Sequence, residues 1–272
     1  MATEMSQTLS KKKTNLFIVL SGIFLTNAVV AEIIGVKIFS AESTFGFAPA
    51  QMHLFGDFVL DFNLTAGAVI WPFVFITTDI INEYFGKEGV KKISYLTAAL
   101  IGYVFVVIYL VTLLQPAAFW IDVNKSDVDG GIFNINSAFN VIFRQGLGII
   151  VGSLTAFLIG QLLDVFVFHQ LRKVTGQKMI WLRATGSTLV SQLIDSFVVL
   201  WIAFYLMSPK GSQWTIAQIA SVGIINYIYK FTVAILLTPA LYAAHYGIDK
   251  YLGKEEADQL SEDAAANSKG FF

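Results

Sequence analysis

Cysteine is absent from the 272-residue chain, which excludes disulfide staples, thiolate metal sites and a thiol nucleophile. Histidine is scarce: His53, His169 and His245 stand far apart, so no histidine metal centre is expected and no cofactor is implied. Charge is the third shortage. Only 14% of the residues are charged against 56% hydrophobic, and the formal net charge is −1. A soluble domain of this length needs far more charged surface, and a near-neutral chain has no global field to attract nucleic acid. The sequence also lacks Walker A, GxGD, HExxH and GxSxG motifs. That sets aside ATP hydrolysis within the chain and the common intramembrane proteases and hydrolases. The reading is an integral membrane protein that is not an enzyme, with the lipid bilayer as its solvent.

What the chain has instead is long apolar runs. A helix needs about 20 apolar residues to cross the hydrocarbon core, and six runs qualify: Leu16–Phe39, Phe62–Phe85, Ile93–Gln115, Gln145–His169, Ala184–Met207 and Ile216–Tyr242. They are apolar at successive positions, which excludes the alternation of a β-barrel. The expected fold is all-α, a polytopic bundle of six transmembrane helices. Most of the 18 basic residues fall on one side: Lys11–Lys13, Lys87, Lys91, Lys92, Arg172, Lys173, Lys178, Arg183, Lys250, Lys254 and Lys269. By the positive-inside rule that side is cytoplasmic, and so are both termini. Residues 1–14 form a basic leader into the first span, which is read as retained and not as a signal peptide, being long and carrying Asn27 and Glu32. The six-helix membrane-spanning body covers 15–246, with an external insertion at about 40–61 expected to be a hairpin or an interfacial cap. The acidic, Ala/Ser-rich segment 247–272 is expected to be a disordered cytoplasmic tail.

Polar groups in these runs are few and expensive. An acid or a base at a helix centre costs roughly 2.5–3.5 kcal/mol, so each should face protein or water. They are Asn27, Glu32 and Lys37; Asp79, Asn82 and Glu83; Gln161 and Asp164; Gln192 and Asp195; and Asn226 and Lys230. Asp195, Lys230, Asn27 and Asn226 fall near the midplane. Arg183, Ser187, Ser191 and Asp195 recur every four residues and form one polar stripe. Gly148, Gly152, Ala156 and Gly160 form a small-residue face suited to close helix packing. Pro72 is expected to kink the second span. The phrase "QLLD" (Gln161–Asp164) returns as "QLID" (Gln192–Asp195) on the next, oppositely running helix. Inverted repeats of that kind build substrate sites in transporters. Converging carboxylates, amides and a lysine, with Trp71, Phe73, Phe75, Tyr227 and Tyr229 on the same helices, suit a flat polar molecule such as a guanine-like base.

Asn27 with Lys37, "TTDIINEYFGK" (Thr77–Lys87), "GQLLDVFVF" (Gly160–Phe168), "RATGSTLVSQLIDSFV" (Arg183–Val198), and Lys230 followed by Thr238–Pro239 together resemble the queuosine precursor transporter family. The resemblance implies a small bacterial inner-membrane carrier importing a 7-deazaguanine for tRNA modification: 7-cyano-7-deazaguanine, its aminomethyl derivative or queuine. It carries over Asp79, Asn82, Glu83, Gln161, Asp164, Arg183, Gln192, Asp195 and Lys230 as functional positions, to which the depth argument adds Asn27 and Asn226. In that expectation Asp195 and either Glu83 or Asp164 accept the N–H groups of the base. Gln192, Gln161 or Asn27 contacts its carbonyl, and Lys230 pairs with Asp195 when the site is empty. The alternative function is a substrate-capture subunit of an ATPase-energised uptake complex. A homo-oligomer is compatible with either.

Overall fold

The computed structural model describes residues 2–55, 59–126, 130–144, 147–176 and 178–267. Gln145, Lys269, part of the 40–61 insertion (56–58) and residues 127–129 lie outside the described residues. Among the described residues ten α-helices follow one another: α1 (Ala2–Ile34), α2 (Ala41–Thr44), α3 (Trp71–Thr112), α4 (Ala118–Val123), α5 (Ile135–Phe143), α6 (Leu147–Thr175), α7 (Ile180–Trp201), α8 (Ile216–Leu236), α9 (Thr238–Leu252) and α10 (Lys254–Asn267). Strands β1 (Ile38–Ser40) and β2 (Asn63–Thr65) pair antiparallel. Among the described residues five helical stretches are long and apolar enough to cross a membrane. The apolar side chains of Tyr103, Val106, Leu110, Ile235 and Leu236 stand exposed on the outside of the bundle, as a lipid-facing surface requires.

The longest helix is two arms. At Gly86 the backbone takes φ 66°, ψ −171°, a conformation open to glycine and strained for any side chain. Contacts with α6 show what the break does. Trp71 meets Phe157, Glu83 meets Arg172 near the far end of α6, and Thr112 then bonds to Arg144 just ahead of its start. The second arm therefore runs back beside the first. Pro72, expected to kink this helix, does not: it occupies the first turn, where its missing N–H would have had no partner. The residues ahead of it, assigned from sequence to the second span, form β2 and a 3-10 turn (Ala66–Val69).

That turn presses on α1. A Cβ built at Gly67 would lie 2.4 Å from the Ala31 carbonyl oxygen. Gly67→Ala is expected to destabilise the fold by about 1–3 kcal/mol through overpacking. Gly102→Ala, at a helical position with nothing within 4 Å, should be neutral or slightly stabilising. Thermal unfolding of the two variants side by side checks the pair.

The insertion expected at about 40–61 is a pinned hairpin. Ile38–Ser40 pair with Asn63–Thr65, a bridge joins Met52 to Leu60, and Glu42 ties the excursion at its root. The Glu42 carboxylate accepts from the Phe62 N–H at 2.7 Å and from Ser40 Oγ at 3.1 Å. The first span accordingly stops at Ile34, not Phe39, because Gly35 and the strand divert the chain. Toward the other terminus, the run expected as the sixth span, Ile216–Tyr242, is helical without a break only to Leu236, after which Pro239 follows and α9 sets off anew. The segment expected to be a disordered tail is helical through Asn267 and packed. Ala257, Ser261 and Ala264 are buried along one face of α10, and Ser261 bonds to both Arg172 and Glu83. Tyr84 anchors α9 by bonding His245 at 2.9 Å and Asp249 at 3.0 Å. Burial holds the His245 imidazole below its ordinary value.

Candidate functional site

Helices α1, α3, α6, α7 and α8 enclose a cavity of about 710 Å³, within the range of small-molecule sites. It reaches from Asp61, Asn63 and Arg144 at the hairpin end down to Asp79 and Thr188. One wall is aromatic: Trp71 stacks on Phe75 with ring centres 6.0 Å apart, and meets Phe157 at 5.7 Å. Tyr229 also lines the cavity, its hydroxyl donating to the Ala68 carbonyl at 3.3 Å.

Polar groups from different helices meet there. Asp79 comes from α3, Gln161 from α6, Gln192 and Asp195 from α7, and Asn226 and Lys230 from α8. The Lys230 ammonium donates to Asp195 Oδ2, forming an ion pair that is partly exposed to the cavity. Close packing puts the two copies of the doubled phrase side by side. Gly160 faces the Asp195 side chain across the α6–α7 contact, and Asp164 accepts a hydrogen bond from Ser191 at 3.4 Å. Each aspartate is thus level with the glutamine region of the opposite copy. One faces the cavity; the other lies deeper. Asp164 lines a separate small void together with Gln161, Thr188, Ser191 and Gln192.

The remaining candidates are elsewhere. Asn27 turns its amide back onto the Ile23 carbonyl of its own helix at 2.8 Å and does not line the cavity. Asn82 is fully enclosed, and its amide meets no hydrogen-bond partner among the described residues. Glu83 and Arg183 belong to an ionic cluster at the basic end. Arg183 Nη2 donates to Glu83 Oε1 at 2.8 Å, while Arg183 Nη1 reaches the carbonyls of Gly176 and Lys178 that close the α6–α7 turn. Arg172 Nη1 stands 3.5 Å from the other Glu83 oxygen and donates through Nη2 to the Ser261 carbonyl at 2.7 Å. These groups are paired with one another and turned away from the cavity.

The cavity also holds groups outside the expected set. Glu32, buried in α1, lines it and accepts a hydrogen bond from Ser153 Oγ. Its position as an acid within an apolar run was the available signal. Thr188, which flanks the polar stripe of α7, and Phe157 line it too; Phe157 has no mark in the sequence beyond belonging to a polar-bearing helix. Among the described residues no group of three or more His, Cys, Asp or Glu side chains is placed to hold a metal ion.

Residues 65–244 match the model of a family described as "putative vitamin uptake transporter". The chain is 32% identical to a probable queuosine precursor transporter of Bacillus subtilis (strain 168) over 186 residues, 67% of this chain and 73% of that protein. It is 29% identical over 187 residues to a probable queuosine precursor transporter of Haemophilus influenzae, 66% of this chain and 68% of that one. To the queuosine precursor transporter of Escherichia coli (strain K12) it is 27% identical over 190 residues, 68% and 73% of the two chains. No solved structure matches it. The family match takes in Asp79, Gln161, Gln192, Asp195, Asn226 and Lys230 of the cavity, but not Glu32, β1 or α10.

Proposed function

This chain belongs to the putative vitamin uptake transporter family, and from that premise we propose that it imports a queuosine precursor bound in the cavity between α1, α3, α6, α7 and α8. Its relatives are named as transporters, and its apolar helices make it a multi-pass protein of the bacterial inner membrane. The cargo is a 7-deazaguanine: 7-cyano-7-deazaguanine, 7-aminomethyl-7-deazaguanine or queuine. The observation that carries the reading is the facing of an aromatic wall by acids and amides from several helices around one space. A planar heterocycle stacks on Trp71 and Phe75. Asp79 or Asp195 accepts its N–H groups in charge-assisted hydrogen bonds, and Gln161, Gln192 or Asn226 meets its carbonyl. Lys230 neutralises Asp195 while the site is empty, sparing a lone charge in an apolar setting.

In this reading the chain crosses six times, with the two arms of α3 as separate passes, and the basic end and both termini face the cytoplasm. The cavity's mouth beside the hairpin then opens outward.

Uptake in a strain unable to make deazaguanines tests the cargo. Each of the three bases offered separately should compete with the labelled one, whereas adenine should not. Adenine and the deazaguanines competing equally would overturn the assignment. Uptake by the purified protein alone in liposomes distinguishes a carrier from a capture subunit awaiting an ATPase.

A further inference from the structure

Beneath the cavity, the small void around Asp164 has about 10 Å³ of space, room for one water-sized sphere. Six of its eight lining residues carry a side-chain oxygen. Thr78, Gln161, Asp164, Thr188, Ser191 and Gln192 surround it, with Phe75 and Gly160 completing the wall. Asp164 Oδ2 and Gln192 Oε1 are enclosed atoms with no hydrogen-bond partner, on residues only 5% and 6% exposed. The hydroxyls of Thr188 and Ser191 both lean on Asp164 Oδ1, each at a long 3.4 Å. A buried carboxylate with one oxygen unpartnered and the other loosely held is costly in this setting. The cost is removed when a small cation sits among these oxygens.

We propose that this void is a sodium site coupled to the substrate cavity. The donor set is hard oxygen throughout: one carboxylate, two amide oxygens and three hydroxyls from separate positions on α3, α6 and α7. A single directly lining carboxylate suits a monovalent ion, since calcium sites bring more negative charge to bear on the cation. A one-sphere void excludes a hydrated ion. The link to transport lies in the shared wall. Gln161, Thr188 and Gln192 line both the void and the cavity. An ion that draws the Gln192 carbonyl oxygen downward leaves its amide N–H₂ to point at the cargo. Sodium and substrate then favour one arrangement of the same side chain, and each tightens the other's binding by reciprocal coupling.

The coupling rests on the proposed cargo reading, but the ion site does not, so the test omits the organic substrate. Purified wild-type protein is titrated with sodium chloride against choline and potassium chloride at constant ionic strength and pH, following thermal stability and ²²Na⁺ binding. A ligand that binds only the folded form raises stability in proportion to its occupancy. We expect a saturable stabilisation by sodium alone, matched by saturable ²²Na⁺ binding. Asp164→Asn should lose both, and Ser191→Ala, which keeps the charge and lies off the cavity, should weaken sodium binding about tenfold. If Asp164→Asn does not fold, Ser191→Ala and the ion selectivity of the wild type decide. Equal stabilisation by choline or potassium, or wild-type sodium affinity in Asp164→Asn or Ser191→Ala, would overturn the site. A failed deazaguanine competition would leave these sodium results standing.

Discussion

Asp195→Asn is expected to reduce saturable uptake by about a hundredfold or more while the protein still inserts and purifies in normal yield. The magnitude follows from what the carboxylate offers a cargo. A charge-assisted hydrogen bond to two N–H groups is among the stronger contacts available in a partly desolvated site. The cost to the fold is smaller. The side chains of Asp195 and Lys230 are 21% and 19% exposed, so water in the cavity solvates a lysine that loses its partner, and the 3–5 kcal/mol of a fully buried pair does not apply. A pair this close could still be scaffold, and the double variant Asp195→Asn/Lys230→Met separates the two roles. Removing both charges leaves no orphan, so stability should recover to near the wild-type level. If Asp195 touches the cargo, transport stays lost in the stable double variant. Recovery of transport in the double variant would assign the pair to scaffold alone.

The acids and amides that converge were legible by type, and their convergence was expected from the cost of a polar group in lipid without the sequence naming which of them would meet. Apolar runs with isolated polar residues mark Asp79, Gln161, Gln192, Asp195, Asn226 and Lys230, and all six line the cavity. Helix phase explains the failure at Asn27. It precedes Glu32 by five residues, which places the two about 140° apart around α1, and Glu32 takes the inner side. Depth explains Glu83 and Arg183: each sits at the basic end, where paired guanidiniums and a docked helix are the nearest partners. The reversal after Phe85 was legible from the end of one apolar run and the start of the next, and Gly86 supplies it within a single residue; the kink expected at Pro72 was not there. Proline is a kink signal only inside a helix, and no local pattern told that the helix begins at Trp71. The tail misled by composition. Its docking face is Ala257, Ser261 and Ala264, small residues that permit close approach without raising hydrophobicity.

The ionic cluster yields the largest expected loss of stability. Glu83 is almost fully enclosed and shares its carboxylate between Arg183 and Arg172, both buried, with Ser261 Oγ donating to Oε1 at 2.7 Å. Glu83→Gln keeps the shape and removes the charge, leaving two enclosed guanidiniums facing a neutral amide. Breaking a buried pair from one side costs about 3–5 kcal/mol, so thermal unfolding in detergent should move sharply downward. Ser261→Ala removes one hydrogen bond and leaves the charges matched, for about 1–3 kcal/mol. The ordering matters more than either figure: Glu83→Gln well below Ser261→Ala, with Arg172→Gln partly rescuing Glu83→Gln because it removes one orphaned charge. Transport should follow the folded fraction, with uptake lost in maximal rate and the concentration for half-saturation unchanged. The opposite result, wild-type stability with a raised half-saturation concentration, would place Glu83 in contact with the cargo. It would also require the basic end of the bundle to open during the transport cycle, since Glu83 reaches the cavity only if Arg172, Arg183 and α10 release it.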